Sequence, residues 1–287
     1  MADKPKAVKS APTYAADRTK PVTVATLLDM KRKGLKITML TAYDYPTARI
    51  VEEAGVDAVL VGDSVAMTKL GYESTLPVTL DEMMHHVKAV KRGLSRALLV
   101  ADMPYLSYEL DVREAARAAG RFLKEGGAHA VKLEGGLEVA PVVKELLKVN
   151  VPVFGHIGLT PQAVNRLGGY KVQGRKPQDA ERILTEARVL EGAGCCAVVL
   201  ECVPADLAKE ISRRLQIPTI GIGAGPHCDG QVLVSDDMLG LTEGGPTKFV
   251  KRYASLRGLA VQAVADYCRE VRDGDFPGPE HSFSSPA

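Results

Sequence analysis

Six side chains able to do acid–base or metal chemistry stand where apolar runs of the sequence end. The runs end in TAYD, VGDS, VADMP, VKLEGG, FGHIG and VLECVP, and the side chains are Asp44, Asp63, Asp102, Glu134, His156 and Glu201. Carboxylates gathered in one place repel one another, and a hard divalent cation relieves that repulsion. These residue types therefore indicate metal-assisted proton chemistry, provided that the fold brings the ends of the runs together.

Three of the carboxylates are the best candidates for metal ligands: Asp63, Asp102 and Glu134. Each one alone is also explained as a helix N-cap or a turn residue, because Asp is common where a strand leads into a helix. All three together, with Lys132 beside them, favour a metal site. Clustered Asp and Glu without Cys or paired His favour Mg²⁺ over Zn²⁺.

Lys132 and Glu134 are two residues apart on a predicted strand, so their side chains point to the same side. A lysine inside a barrel is costly unless it is paired. Lys132 therefore either neutralises a carboxylate or binds an anionic substrate group, such as a carboxylate or a keto oxygen. A Schiff-base role is also open, although neighbouring metal carboxylates make it less favoured.

His156 and Glu201 each have two interpretations. His156 is a proton carrier or a hydrogen-bonded histidine of the core, and Glu201 is a general base or the partner of a Lys or Arg. Together the residues support an enolisation, in which a metal polarises a carbonyl and a carboxylate removes the neighbouring proton. The electrophile that would follow is not identified by them.

Eight strand candidates, mostly alternating with helical segments, must position these side chains. They lie at 36–44, 58–64, 96–104, 130–136, 151–159, 196–204, 217–225 and 231–239. Several are nearly continuous apolar runs, as parallel strands buried on both faces are. Eight βα units in about 250 residues predict an α/β protein with a TIM (β/α)8 barrel, in which all carboxyl ends of the strands open onto one face. GIGAG at strand seven lacks the spacing of a dinucleotide-binding turn.

The length of 287 residues and the hydrophobic content of 46% suit one large domain. We predict three segments: a flexible basic tail over 1–21, a single barrel domain over 22–275 and a C-terminal tail over 276–287. The barrel domain begins with an N-terminal helix. The first segment contains lysines but no apolar stretch, so it has little to bury and no secretory signal is expected.

Composition excludes several classes of protein. The net charge of +2, without Trp or a basic stripe, argues against nucleic acid as a partner. No apolar run reaches the roughly 18 residues that a membrane helix needs, so no membrane partner is expected. The five cysteines are odd in number and include no Cys-x-x-Cys, so neither a disulfide framework nor a zinc ribbon is indicated. A reducing cytoplasm is the simplest setting.

Longer motifs carry a resemblance to a known family. The sequence contains, in order, TAYDYPTA, VGDSVAMTKLGYESTLPVTLDEM, VKLEGG, GHIGLTPQ, GGYKVQGR, LECVP and GIGAG…CDGQVLV. With these blocks it strongly resembles the ketopantoate hydroxymethyltransferase family, from Val22 to the EHSF near the C-terminus. The resemblance implies a TIM barrel that transfers a hydroxymethyl group from 5,10-methylenetetrahydrofolate to 3-methyl-2-oxobutanoate through a Mg²⁺-stabilised enolate. The product would be 2-dehydropantoate (ketopantoate), for pantothenate and coenzyme A biosynthesis.

The resemblance also implies roles for individual residues. It assigns the metal to Asp63, Asp102 and Glu134, the proton-abstracting base to Glu201, and substrate binding to Asp63, Ser64, Asp102 and Lys132, with His156 as a pocket residue. It further implies a homo-oligomer, commonly a homodecamer. The 168–175 loop is a candidate lid or subunit contact.

Two alternatives remain open from the sequence. One is a folate-independent, Mg²⁺-dependent 2-oxo-acid lyase or aldolase on a similar barrel. The other is a catalytically idle barrel that serves as a binding or assembly protein, which loss of Asp63, Asp102 or Glu201 would favour; all three are present.

Overall fold

The computed structural model describes residues 20–243 and 247–285. Eight parallel strands follow one another around a closed barrel, each paired with the next and the last with the first. The strands are β1 (Ile37–Thr41), β2 (Ala58–Val61), β3 (Leu98–Asp102), β4 (Ala130–Glu134), β5 (Val153–Gly158), β6 (Ala197–Glu201), β7 (Thr219–Ile222) and β8 (Gly230–Leu233). The TIM-barrel prediction is confirmed.

Helices precede, connect and follow the strands. They are α1 (Val24–Arg32), α2 (Tyr45–Ala54), α3 (Val65–Thr68), α4 (Leu80–Gly93), α5 (Val112–Lys124), α6 (Ala140–Lys148), α7 (Val164–Leu167), α8 (Pro177–Ala193), α9 (Ala205–Arg214), α10 (Ser235–Leu239) and α11 (Leu256–Asp273). Short 3₁₀ turns lie at Leu137–Val139, Pro161–Ala163 and Pro279–His281. Asp111 caps α5, since its carboxylate accepts from the Arg113 and Glu114 amides.

Alternation along each strand sorts its side chains into two cores. On β4, Val131 and Leu133 belong to the apolar cluster between barrel and helices, whereas Ala130 belongs to the cluster inside the barrel. Lys132 and Glu134 share the face of Ala130, because side chains two apart on a strand point the same way.

The barrel interior is apolar at its amino end. It contains Ile37, Met39, Ala58, Leu60, Leu98, Val100, Ala130, Phe154, Ala197, Val199, Ile220 and Val232. Leu27 and Met30 of α1 join this same cluster and are buried, so the N-terminal helix closes the amino end of the barrel. We call this apolar set the barrel floor.

The last strand is shorter than predicted. The sequence predicted a strand over 231–239, but β8 ends at Leu233 and α10 begins at Ser235. The Ser235 amide donates to Thr41 Oγ1 on β1 at 3.0 Å, and Asp236 and Asp237 stand in the first turn of α10. Acidic residues there are favourable to the helix dipole, which explains the change from strand to helix.

The C-terminal helix α11 contributes nothing to this core. None of its residues is buried, and Leu259, Val264 and Tyr267 are more than half exposed. No helix in the described ranges is long and apolar enough to cross a membrane. The predicted tail over 1–21 lies almost entirely outside the described residues, so the domain bounds stay predictions.

Candidate active site

A cavity of about 760 Å³ opens at the carboxyl ends of the strands. Its lining includes every residue that the sequence predicted for the site: Asp63, Ser64, Asp102, Lys132, Glu134, His156 and Glu201. Asp44, the remaining carboxylate of the strand ends, is instead the N-cap of α2 and accepts from the Thr47 amide at 2.7 Å.

Strand register brings the interior residues of β3, β4 and β5 together. Asp102 is paired with Lys132 across β3 and β4, and Glu134 with His156 across β4 and β5. All four side chains are buried. Lys132 Nζ lies 2.8 Å from Asp102 Oδ1, which forms a buried ion pair.

The turn after β2 adds two further polar groups. The Asp63 amide donates to Asp102 Oδ2 at 3.0 Å, which fixes the turn against β3. Ser64 follows, and its hydroxyl lies 2.8 Å from the hydroxyl of buried Tyr43. The abrupt change from an apolar run to Gly-Asp-Ser therefore builds one wall of the cavity.

His156 joins the two glutamates of the cavity. Nδ1 lies 3.3 Å from Glu134 Oε1, and Nε2 lies 3.1 Å from Glu201 Oε2. Burial and the nearby Lys132 charge act to lower the pKa of His156, but hydrogen bonds with Glu134 and Glu201 outweigh them and raise the pKa to about 9. Lys132 Nζ is 3.2 Å from Nδ1, a contact that is repulsive when Nδ1 carries a proton. His156 is therefore a bridge between carboxylates rather than an ordinary core histidine.

The site contains more negative than positive charge. Burial, followed by the charges of Asp102 and Glu134, raises the pKa of Asp63 to about 8. Burial also raises the pKa of Asp102, although Lys132 opposes that effect. Burial lowers the pKa of Lys132, but the carboxylates outweigh it and the net shift is upward. The carboxylates are thus held at a cost that an additional positive charge would relieve.

The carboxylates of the cavity fit a hard divalent cation that keeps part of its hydration shell. Asp102 Oδ1 and Glu134 Oε1 are buried, and their only polar contacts among the described residues are the ion pairs with Lys132 and His156. In the described part of the chain, no three His, Cys, Asp or Glu side chains are arranged as a group that could hold a metal ion. Mg²⁺ usually takes one or two carboxylates and completes its coordination shell with water and substrate, and the lone pairs that these oxygens keep beside their one contact suit that mode.

Two residues of the site were missed by the sequence reasoning. Gln162, in the 3₁₀ turn after β5, donates from Nε2 to Asp63 Oδ2 at 2.9 Å and from its amide to Glu134 Oε2 at 3.0 Å. Tyr108 donates its hydroxyl to Gln162 Oε1 at 2.6 Å. The available signal was the Thr-Pro-Gln that begins a turn directly after a strand, where a polar side chain lies at the same face as the other strand ends.

The backbone around Glu201 is held on both sides. Gly158 has a φ of 95°, and a Cβ there would stand 2.3 Å from the Glu201 carbonyl oxygen. The Leu159 amide donates to that oxygen at 2.8 Å. The next residue, Cys202, has a φ of 47°, and its amide donates to the Ile222 carbonyl. The last residue of β6 is thereby fixed between β5 and β7.

The 168–175 loop reaches the same cavity. Tyr170 lines the cavity, and the Gln173 amide donates to the Cys202 carbonyl at 2.9 Å. The loop therefore forms part of the cavity wall within this chain.

A (β/α)8 barrel whose carboxyl-end cavity holds buried carboxylates, a buried lysine and a bridging histidine defines a TIM-barrel enzyme, because catalytic residues of this fold lie at that face. Solved structures agree on the fold. The chain is similar to a phosphonopyruvate hydrolase, at 13% identity and a TM-score of 0.59 over 90% of this chain and 92% of that one. It is also similar to a 2,3-dimethylmalate lyase, at 14% identity and a TM-score of 0.58 over 91% of both chains.

Sequence comparisons give the family. The profile of the ketopantoate hydroxymethyltransferases matches residues 21–279. Two similar relatives are 3-methyl-2-oxobutanoate hydroxymethyltransferases. The one from Thermoanaerobacter sp. (strain X514) is 54% identical over 92% of this chain and 96% of its own length. The one from Trichlorobacter lovleyi is 57% identical over 92% of this chain and 99% of its own. The chain belongs to the ketopantoate hydroxymethyltransferase family, as its motifs predicted, and is a transferase.

Proposed function

We propose that this enzyme transfers a hydroxymethyl group from 5,10-methylenetetrahydrofolate to 3-methyl-2-oxobutanoate and so forms 2-dehydropantoate for pantothenate and coenzyme A biosynthesis. The observation that carries the proposal is one cavity in which buried carboxylates, a buried lysine and Glu201 converge. The names of relatives that are 54–57% identical support the same reaction.

Mg²⁺ is the proposed metal, and Asp63, Asp102 and Glu134 would hold it, one or two of them directly and the rest through water of its hydration shell. When bound, it would polarise the keto oxygen of the oxo acid and make the neighbouring C3 proton more acidic. The raised pKa of Asp63 supports a cation at this point, and so do Asp102 Oδ1 and Glu134 Oε1, which have no partner beyond Lys132 and His156 in the part of the chain that the structure describes.

The chain's own groups orient the oxo acid. Lys132 and Ser64 line the cavity beside Asp63 and Asp102, so an ammonium and a hydroxyl face the place where an anionic substrate enters. Lys132 keeps its proton because the neighbouring carboxylates hold its pKa above the ordinary value, although burial opposes them. A permanent positive charge suits a substrate that carries a carboxylate.

Glu201 is the proposed base. Its side chain is 15% exposed and faces the cavity, and His156 Nε2 holds Oε2 at 3.1 Å. The carboxylate accepts the C3 proton, and the C3 electron pair forms a bond to the methylene carbon of the folate as one of that carbon's two bonds, to N5 and N10, breaks. Water then displaces the second nitrogen and supplies the product hydroxyl. Tetrahydrofolate leaves with a proton on each of these nitrogens, one taken originally from C3 and one from the water.

The folate co-substrate, the oligomer and the compartment are proposed from features outside the carboxylate cluster. The cavity of about 760 Å³ offers room for the folate beside the small oxo acid. The exposed apolar side chains of α11 support a homo-oligomer, and we propose a homodecamer from the family resemblance. The five cysteines are free thiols, which supports a reducing cytoplasm.

Proton exchange tests the proposal. NMR in D₂O follows loss of the C3 proton of 3-methyl-2-oxobutanoate with Mg²⁺ and with EDTA. Exchange should require Mg²⁺ and fall by about 100-fold or more in Glu201→Gln. Glu210→Gln is the matched control, because Glu210 lies on α9 outside the cavity with a side chain that is 40% exposed, and it should exchange like the wild type.

The folate step is tested separately. Addition of 5,10-methylenetetrahydrofolate should yield 2-dehydropantoate from the wild type. Exchange that is unaffected by EDTA or by Glu201→Gln would contradict the assigned metal and base. Exchange without any product after folate addition would point to the folate-independent alternative.

A further inference from the structure

Gln162 links two of the carboxylates to which the proposed function assigns the metal. It is 8% exposed, and its backbone amide and side-chain amide donate to Glu134 Oε2 and Asp63 Oδ2 respectively. These contacts join the loop after β5 to the turn after β2 and to the end of β4. One residue therefore contacts carboxylates from two different elements.

The surroundings fix which way the Gln162 amide points. The Glu134 amide donates to the Tyr108 hydroxyl oxygen at 3.2 Å. That hydroxyl gives its one proton to Gln162 Oε1 at 2.6 Å, which is much nearer than its other acceptor, the Glu134 carbonyl at 3.3 Å. Nε2 then faces two acceptors, Asp63 Oδ2 at 2.9 Å and the Met103 carbonyl at 3.0 Å. A flipped amide would place its oxygen against both acceptors, so only one orientation satisfies every group.

We propose that Gln162, oriented by Tyr108, is a positioning residue for the metal and substrate site. It holds one oxygen of Asp63 and one of Glu134, so the remaining oxygen of each carboxylate keeps a fixed direction. The inference rests on the proposed function, because it assumes that these carboxylates bind Mg²⁺. Outer groups that orient metal ligands commonly contribute 10- to 100-fold to metal affinity, as order-of-magnitude values.

A purely structural role is the competing explanation. Any buried glutamine needs hydrogen-bond partners, and its loss would destabilise the barrel whether or not it orients ligands. Metal affinity separates the two, because a structural role would lower stability and leave the dissociation constant for Mg²⁺ unchanged.

Calorimetric titration of Mg²⁺ into the full-length apoenzyme provides the test. Gln162→Met keeps the length of the side chain and the backbone amide but removes both side-chain donors. Its dissociation constant for Mg²⁺ should rise by about 10-fold or more. Tyr108→Phe removes the proton that orients the amide and should raise the constant by a smaller factor. Saturating Mg²⁺ should restore most of the lost kcat.

Ser212→Ala is the matched control. Ser212 is also buried, and its hydroxyl contacts Thr219 and the Ala208 carbonyl outside the cavity. Its loss should lower stability without changing Mg²⁺ affinity. Wild-type affinity in Gln162→Met would overturn the inference, and if that variant does not fold, wild-type affinity in Tyr108→Phe would do so. A wild-type enzyme that binds no Mg²⁺ would overturn the proposed metal site and this inference with it.

Discussion

Replacement of Lys132 by methionine removes a positive charge that is buried among three carboxylates. Lys132 Nζ lies 2.8 Å from Asp102 Oδ1, and both side chains are at most 5% exposed. At an effective dielectric constant of about 20, unit charges at that separation attract by roughly 6 kcal/mol. Part of this lost attraction is offset, because the variant no longer has to remove an ammonium group from water. Because removal of one partner of a buried pair typically costs about 3–5 kcal/mol, we expect the apoenzyme to lose about 4 kcal/mol of unfolding free energy.

The loss should depend on pH. Burial already raises the folded-state pKa of Asp102, and without Lys132 it rises further. When the pKa of a carboxyl is higher in the folded state than in the unfolded state, the folded state binds more protons between those two pKa values. The free energy of unfolding therefore falls as pH rises through that range. The difference between wild type and Lys132→Met is therefore larger near pH 8 than near pH 5.

Urea unfolding in EDTA, at a fixed protein concentration and at both pH values, measures this difference. Lys31→Met is the matched control, since Lys31 pairs with Asp229 at 2.7 Å but both are 12–19% exposed. Asp229 also accepts from the amide and hydroxyl of Thr219, so it keeps partners when Lys31 is lost. Lys31→Met should lose less free energy of unfolding than Lys132→Met, and its loss should change little with pH. A loss below about 1 kcal/mol in Lys132→Met, or an equal loss at both pH values, would refute the reasoning.

Two further substitutions test the polar wall of the cavity. His156 has a pKa of about 9 in the folded chain, so its contribution to stability is complete below about pH 6.5 and is lost as pH rises through 9. Through this group the wild type's free energy of unfolding should fall by about 3 kcal/mol as pH rises from about 6.5 through 9, and urea unfolding of His156→Gln should lack that part of the fall. An equal fall in the variant would contradict the raised pKa. Tyr43→Phe removes the 2.8 Å contact with Ser64 and should raise the KM for the oxo acid about five-fold with kcat nearly unchanged. An unaltered KM would show that Ser64 does not depend on Tyr43.

The strand ends and their common face were predictable because they follow from local rules. Apolar runs marked the strands, parallel closure brings their carboxyl ends to one face, and the two-residue spacing placed Lys132 and Glu134 on one side. These rules use only short stretches of sequence. They needed no knowledge of which side chains meet across the barrel.

Contacts between distant segments account for what the sequence did not predict. Gln162 meets Tyr108 across 54 residues and Asp63 across 99, and no local pattern encodes either pairing. The end of β8 depends on Thr41, which is 194 residues from Ser235. Asp44 was grouped with the strand-end carboxylates by its type and place in the sequence, and only its contact with the Thr47 amide shows that it is an N-cap.

The division of the barrel interior into an apolar floor and a charged upper layer has an evolutionary consequence. Substitutions among the strand-end residues can alter the reaction while the floor continues to support folding, provided that they leave buried pairs such as Lys132 with Asp102 matched. Barrels that share only 13–14% of their residues with this chain nevertheless follow its backbone at TM-scores of 0.58–0.59. Such an interior allows a new activity to arise through a few exchanges at the upper layer, without the invention of a new fold.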